Sequence, residues 1–279
     1  MPGVSELLII DASRPSWALR FKRAFADIGE ALRHPEIWMA LAWQDLRQRY
    51  RRSLLGPFWI TLTMLVTIVS MGTLYGILFQ QDLHDFMPYL ALGIISWGLI
   101  ASLVVDGCNV FTQSDRLIRS VRLPMTVYVA KSVYGNLLTF LHNILAFVPV
   151  LLYFSILPQW RWLAAIPGVL MILLAAVPVD FILGILCARF RDLQPIVNSI
   201  MQLMFFLTPI FWKPESLGAR AHYVHFNPLY LFVDVVRGPI YGYLPDAKTY
   251  LGAGVVIVLL YAVALPLFAR YRARIAFWV

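Results

Sequence analysis

The sequence predicts an all-α polytopic membrane protein with six transmembrane helices, and three observations carry that expectation. Hydrophobic residues make up 60% of the 279 and charged ones only 14%, with a mean hydropathy of +0.73. A water-soluble fold of this size lacks the polar surface to cover itself at that composition, whereas a bilayer removes the requirement. Apolar runs of about 20 residues, enough to cross ~30 Å of hydrocarbon at 1.5 Å per residue, recur along the chain. The basic residues, which bring the net charge to +8, cluster in alternate connections.

The runs fall at about 54–79, 88–111, 132–157, 163–188, 195–212 and 250–269, the fifth being the shortest. Helices are required, because backbone polar groups in lipid must be satisfied within the segment, and the runs are too long for barrel strands. The connections before the first run, after the second, after the fourth and after the last hold 18 Lys and Arg, against five in the others. The positive-inside rule then predicts a multi-pass inner-membrane protein with both termini in the cytoplasm. Residues 1–53 are read as a cytoplasmic N-terminal segment and 54–279 as one transmembrane domain. Trp59, Trp97, Trp160, Trp162 and Trp212 are expected at span ends, as interfacial anchors. The run Leu7–Ile10 is too short for the apolar core of a signal peptide, so none is expected.

Ahead of the first span, Trp17, Phe21, Phe25, Ile28 and Leu32 recur at helical spacing among basic and acidic residues. That pattern predicts an amphipathic helix lying on the cytoplasmic leaflet, with packing on a partner as the alternative, and Pro35 breaks it. The 213–249 stretch is long for a connection. Its Phe226–Val233 portion is too short to span and too apolar for open water, which predicts a re-entrant or interfacial helix.

No P-loop, nucleophile elbow or His-Glu-x-x-His occurs, so the chain carries none of those enzyme signatures. Asp82, His84 and Asp85, or His222 and His225, are read as ordinary loop residues rather than metal ligands. Cys108 and Cys187 are read as reduced, buried thiols. Asp106 and Asp180 lie 17 or 18 residues into descending spans, at the depth of hydrated helix ends or the mouth of a polar cavity. Asn136, Thr139, His142 and Asn143 form a polar stripe at spacings of three and four, and Asn198 and Gln202 repeat the theme. Such stripes glue helices together or line a hydrated conduit, and two of them favour a conduit. Ser114, Asp115, Arg116, Leu117, Ile118, Arg119, Val121 and Arg122 read as a short amphipathic helix, capped by Ser114 or Asp115 and stopped by Pro124. A helix this short is not stable alone, so its Leu117–Ile118–Val121 face must dock, on headgroups or on a cytoplasmic partner.

Four stretches carry a resemblance. They are Trp43 through Trp59, Asp115 through Pro124, Arg189-Phe190-Arg191-Asp192-Leu193 continuing to Phe205-Phe206-Leu207-Thr208-Pro209-Ile210-Phe211, and Asn227-Pro228-Leu229-Tyr230 with Arg237. With them the chain, from about Trp38 onward, resembles the permeases of polysaccharide-exporting ABC transporters of the second exporter type. It departs from that pattern at Gln44, where a basic residue is common, and at Met64, where a proline is common. The resemblance implies a homodimer, two copies of a cytoplasmic P-loop ATPase that binds ATP and Mg, and a lipid-linked polysaccharide as cargo. It makes 114–122 the coupling helix seated in the ATPase. No cofactor is expected in this chain and no nucleic acid among its partners. A conduit would be lined by spans one and five, with Trp59 and the two polar stripes as candidates. The alternatives are a membrane-embedded transferase acting on lipid-linked sugars and a type-two permease for a drug or a lipid.

Overall fold

The computed structural model describes residues 16–49, 51, 56 and 58–279, and among these every regular element is helical. Leu54, the expected start of the first span, lies outside the described residues. So do the Leu7–Ile10 run and Tyr50, Arg52, Ser53, Leu55 and Pro57 of the first resembling stretch.

Ser16 opens α1 (Trp17–Arg33), its hydroxyl accepting from the Leu19 amide at 3.4 Å. Pro35, at the first position of α2 (Pro35–Arg49), suits a helix start because its missing amide has no partner to lose there. The charge-free α3 (Phe58–Leu78) closes on Gln80, held at φ 50°, with the Gln81 amide donating back to the Gly76 carbonyl. Asp82 then caps α4 (Leu83–Asn109), accepting from the His84 amide at 3.0 Å.

This cap starts the second span at Leu83 rather than the expected Pro88. It also leaves Trp97 in the middle of the helix, 7% exposed, rather than at an interfacial end. α4 is the axis of the molecule, its residues Leu90, Ile95, Leu99 and Leu103 forming the core on which α3 and the later helices pack.

A 3₁₀ turn at Thr112–Ser114 leads to α5 (Asp115–Ser120). Pro124 does not stop that helix, which ends at Ser120 with Val121 already extended; Pro124 instead precedes α6 (Met125–Ile144). The third apolar element therefore starts seven residues before the expected Ser132, and after a turn it continues as α7 (Phe147–Tyr153). α8 (Ala165–Arg189) follows a 3₁₀ turn, Trp160–Ala164. Its Gly168 meets the Val235 carbonyl so closely that a β-carbon would sit 2.4 Å away.

α9 (Leu193–Leu207) has 15 residues, roughly 22 Å of helix. It stops because Pro209 biases Thr208 to the extended conformation it adopts, φ −94° and ψ 135°. The chain runs on through 208–213 and turns through the kinked 3₁₀ segment Pro214–Phe226. It returns as α10 (Pro228–Tyr241), capped by Asn227, whose Oδ1 accepts from the Leu229 amide at 3.0 Å. Gly242, at φ 126°, ends α10 ahead of α11 (Ala247–Trp278).

Among the described residues, five helical stretches are long and apolar enough to cross a membrane: Phe58–Leu78, Leu83–Asn109, Met125–Tyr153, Trp160–Arg189 and Ala247–Trp278, with α9 a shorter apolar sixth. The protein is a multi-pass membrane protein. A second core, built from Ala24, Phe111, Ile118, Tyr128, Phe181, Phe268 and Ile275, ties α1, α5, α6, α8 and α11 together at the arginine-rich end.

Candidate functional site

Three regions gather the polar residues singled out in the sequence. At the arginine-rich end, α5 is held by its own fold. Ile118 is 8% exposed and packs in the second core, while Val121 is 45% exposed. The expected apolar docking face of Leu117, Ile118 and Val121 is therefore split. The surface that α5 and the two residues after it offer outward is Arg116, Arg119, Ser120, Val121 and Arg122. Asp115 accepts from the Arg116 amide at 2.6 Å and Arg119 donates to the Val279 carbonyl. The Ser114 hydroxyl makes no cap; it lies 3.5 Å from the Lys131 ammonium, which pairs with Asp45 of α2 at 2.8 Å.

Sequence reasoning missed the residue that organises this end. Asp27 of α1, 4% exposed, accepts from the amides of Met125 and Thr126 at 3.2 and 3.0 Å and from the Thr126 hydroxyl at 2.7 Å. Arg272 of α11 pairs with the same carboxylate at 2.7 Å. Asp27 thus caps α6 from another helix, whose own N-cap residue, Pro124, has no side-chain acceptor. On α1, Phe21 and Ile28 pack against the second core, whereas Trp17, Phe25 and Leu32 are exposed.

The α6 stripe turns inward. Asn136 donates to Asp106 at 3.0 Å and to the Ser132 carbonyl at 3.1 Å. Thr139 donates to the Gly135 carbonyl at 3.1 Å, and the His142 ring lies 2.8 Å from the Leu138 carbonyl. Asn143 is buried, and the His142 carbonyl accepts from Thr61 of α3 at 2.8 Å. Asp106, Asn136 and Thr139 line a pocket of about 70 Å³ with Asp45, Arg49 and Lys131. Asp180 is not a hydrated helix-end carboxylate. It is wholly buried nine residues before the end of α8, without a hydrogen-bond partner among the described residues, against Gly107 of α4, where a β-carbon would lie 2.5 Å from its oxygen.

Asn198 and Gln202 are placed differently. Both are exposed and line an open groove of about 730 Å³ between α4 and α9, with Trp97, Val105, Phe205 and Phe206 as its walls. Trp97 meets Phe205 edge-on at 5.8 Å. Aromatic faces beside amide side chains suit sugar rings, which present C–H surfaces and hydroxyls together. Trp59, on α3, is exposed but not part of this lining. The aromatic walls escaped sequence reasoning, since the pairing of Trp97 with Phe205 exists only once α9 packs on α4.

The last two resembling stretches meet each other. Asn227 donates to the Thr208 hydroxyl at 3.0 Å and Arg237, wholly buried, donates to the Pro209 carbonyl at 2.6 Å. The guanidinium lies over the Tyr89 ring at 4.1 Å, and the Tyr89 hydroxyl donates to the Trp212 carbonyl at 3.1 Å. Burial pushes the Tyr243 hydroxyl above the ordinary tyrosine range, so it remains the donor to Asp234 at 2.5 Å. Asp82 is spent on capping α4, and Asp85 accepts from Lys213 and Tyr241. His222 faces the Ala219 carbonyl and His225 the Tyr230 ring. Among the described residues no three of His, Cys, Asp and Glu gather as a metal-holding group, and Cys108 and Cys187 are free and buried.

Comparison with known proteins places this architecture. The O-antigen export system permease protein RfbA of Myxococcus xanthus is 24% identical over 253 residues, 89% of this chain and 97% of that protein. Two O-antigen export system permease proteins RfbA of Klebsiella pneumoniae are each 25% identical over 193 residues, 67% of this chain and 73% of theirs. The family model described as ABC-2 type transporter matches residues 36–241, from the start of α2 to the end of α10, and the chain belongs to that family of transporter permeases.

Proposed function

We propose that this chain is the membrane-spanning subunit of an ATP-driven exporter that moves an O-antigen-like, lipid-linked polysaccharide across the bacterial inner membrane. The observation that carries this reading is near full-length similarity to a permease named for O-antigen export, joined to an aromatic and amide groove at the exposed junction of α4 and α9. α3 and α9 both pack on α4, so a second copy facing this side would enclose the groove as a conduit, and the subunit acts as a homodimer.

α9 and the irregular 208–213 segment make the sixth crossing. α10 re-enters the membrane: Pro228 and Phe232 sit beside Leu103, Val104 and Val179, while Tyr241 reaches Asp85 at the other end of α4. The arginine-rich end and both termini lie in the cytoplasm, α1 rests on the inner leaflet, and α5 is seated in a separate P-loop ATPase that binds ATP and Mg. ATP does work by favouring one of two arrangements of the paired subunits, which α5 transmits to α6 and α11. The transferase alternative needs an acid–base or metal constellation, and Asp27, Asp85 and Asp234 are already engaged by donors.

Depletion of the chain followed by analysis of lipid-linked glycans tests the reading. Accumulation of a lipid-linked polysaccharide on the cytoplasmic side, with a P-loop ATPase co-purifying, is the expected result. Normal export after depletion would refute it.

A further inference from the structure

We propose that the hollow between α1 and the end of α11 is a binding site for the headgroup of an anionic phospholipid. Arg20 and Arg23 of α1 and Arg270, Arg272 and Arg274 of α11 converge on one cavity of about 390 Å³. One carboxylate answers these five cations: Asp27 pairs with Arg272. Among the described residues the other four have no ion-pair partner; Arg20 lies over the Trp17 ring and Arg270 over the Tyr271 ring. Guanidiniums gathered around a shared hollow repel one another unless an anion sits between them, and their planar forks match phosphate oxygens.

The depth of the cavity selects a lipid. The charge-free stretch of α11 runs from Thr249 to Ala269, 21 residues or about 30 Å, the thickness of the hydrocarbon. Arg270 is therefore the first side chain beyond it, and Arg272 and Arg274 stand in the headgroup layer. α1 supplies the other wall at the same level. Its exposed Trp17, 50% accessible and overlain by Arg20, gives an acyl chain apolar surface beside the phosphate site. A soluble anion would gain nothing from that ring. The inference uses the proposed orientation only to assign the leaflet, and it needs neither the ATPase nor the cargo.

The test uses the purified full chain in nanodiscs of phosphatidylcholine, with and without cardiolipin, read by native mass spectrometry of retained lipid and by thermal unfolding. The wild type should keep cardiolipin through delipidation and melt higher in cardiolipin discs. Arg23→Gln/Arg270→Gln/Arg274→Gln should retain it about a hundredfold less, given roughly 1 kcal/mol per basic residue near a charged headgroup, while melting like the wild type in neutral discs. If that variant does not fold, Arg23→Gln/Arg274→Gln, which leaves Arg270 over the Tyr271 ring, carries the same comparison. A charge-matched control outside the cavity, Lys22→Gln/Arg33→Gln/Arg122→Gln, should retain lipid as the wild type does. Equal loss in the control makes the attraction diffuse and overturns the site. Equal retention by the cavity variant overturns it as well, as does equal stabilisation of neutral discs by inorganic pyrophosphate, which assigns the cavity to a soluble anion.

Discussion

Asp27 and Thr126 are 99 residues apart in sequence, yet the carboxylate takes both donors of the threonine, the amide at 3.0 Å and the hydroxyl at 2.7 Å. With Met125 and Arg272 added, one buried side chain fixes α1 to the start of α6 and the end of α11. Asp27→Ala strands these donors and is expected to cost about 3 kcal/mol, while Asp27→Asn keeps one capping oxygen and should cost about half that. Thermal unfolding in detergent measures both. Equal losses would attribute the whole effect to the ion pair with Arg272.

If α5 docks as proposed, its division into an inner and an outer side separates stability from partner binding. Ile118→Glu places a charge in the second core and should lower the unfolding midpoint by several degrees, equivalent to ~3 kcal/mol. Val121→Glu, on the open side, should leave that midpoint within a degree or two and reduce ATPase co-purification and export. The discriminating result is the pair of midpoints set beside the pull-down yields; a normal yield for Val121→Glu removes that side from the docking surface.

The two polar stripes predict opposite phenotypes. Asn136→Leu breaks the bond to Asp106 inside the bundle and is expected to destabilise by about 1–3 kcal/mol. Asn198→Leu and Gln202→Leu alter an open groove, so the fold should melt normally while polysaccharide export falls. Export assays in a strain depleted of the native chain provide the readout, and full export by the Asn198→Leu/Gln202→Leu double variant would argue that cargo does not pass along this groove.

Close approach of α4 and α8 depends on a missing side chain. Gly107→Ala drives a methyl to 2.5 Å from the Asp180 oxygen and should cost about 1–3 kcal/mol. In an Asp180→Ala background the obstacle is gone, so the second change should cost much less. A double-mutant cycle of unfolding midpoints checks this; strict additivity would mean that the helices part elsewhere.

The elements that face lipid were legible in the sequence because hydrocarbon imposes length and composition directly. Elements were misplaced where a charged residue sits inside a helix. His84 and Asp85 disguise the first turn of α4, and Lys131 disguises the first turns of α6, although Lys131 has its counter-charge in Asp45. The polar residues of α6 carried a periodicity that a conduit and a packed seam share, and only the neighbours decide between them. Asp27 was hidden for a different reason: its partners lie 98 to 245 residues away, and on its own helix it looked like one more solvated charge. The wall of Trp97 and Phe205 likewise forms only when α9 crosses α4, so periodicity within either helix gives no sign of it.

The break after Leu207 shows how a membrane protein escapes regular helix without penalty. The carbonyls of Phe206, Leu207, Pro209 and Trp212, which have left any ladder, are each taken by a side chain: Trp212, Asn227, Arg237 and Tyr89. Bare peptide groups are thereby clothed from their flanks instead of meeting oil. Shortening Asn227, a polar side chain with no apolar body to lose, would undress the backbone before it disturbed any greasy contact, so damage there starts with wetting rather than with loosened packing.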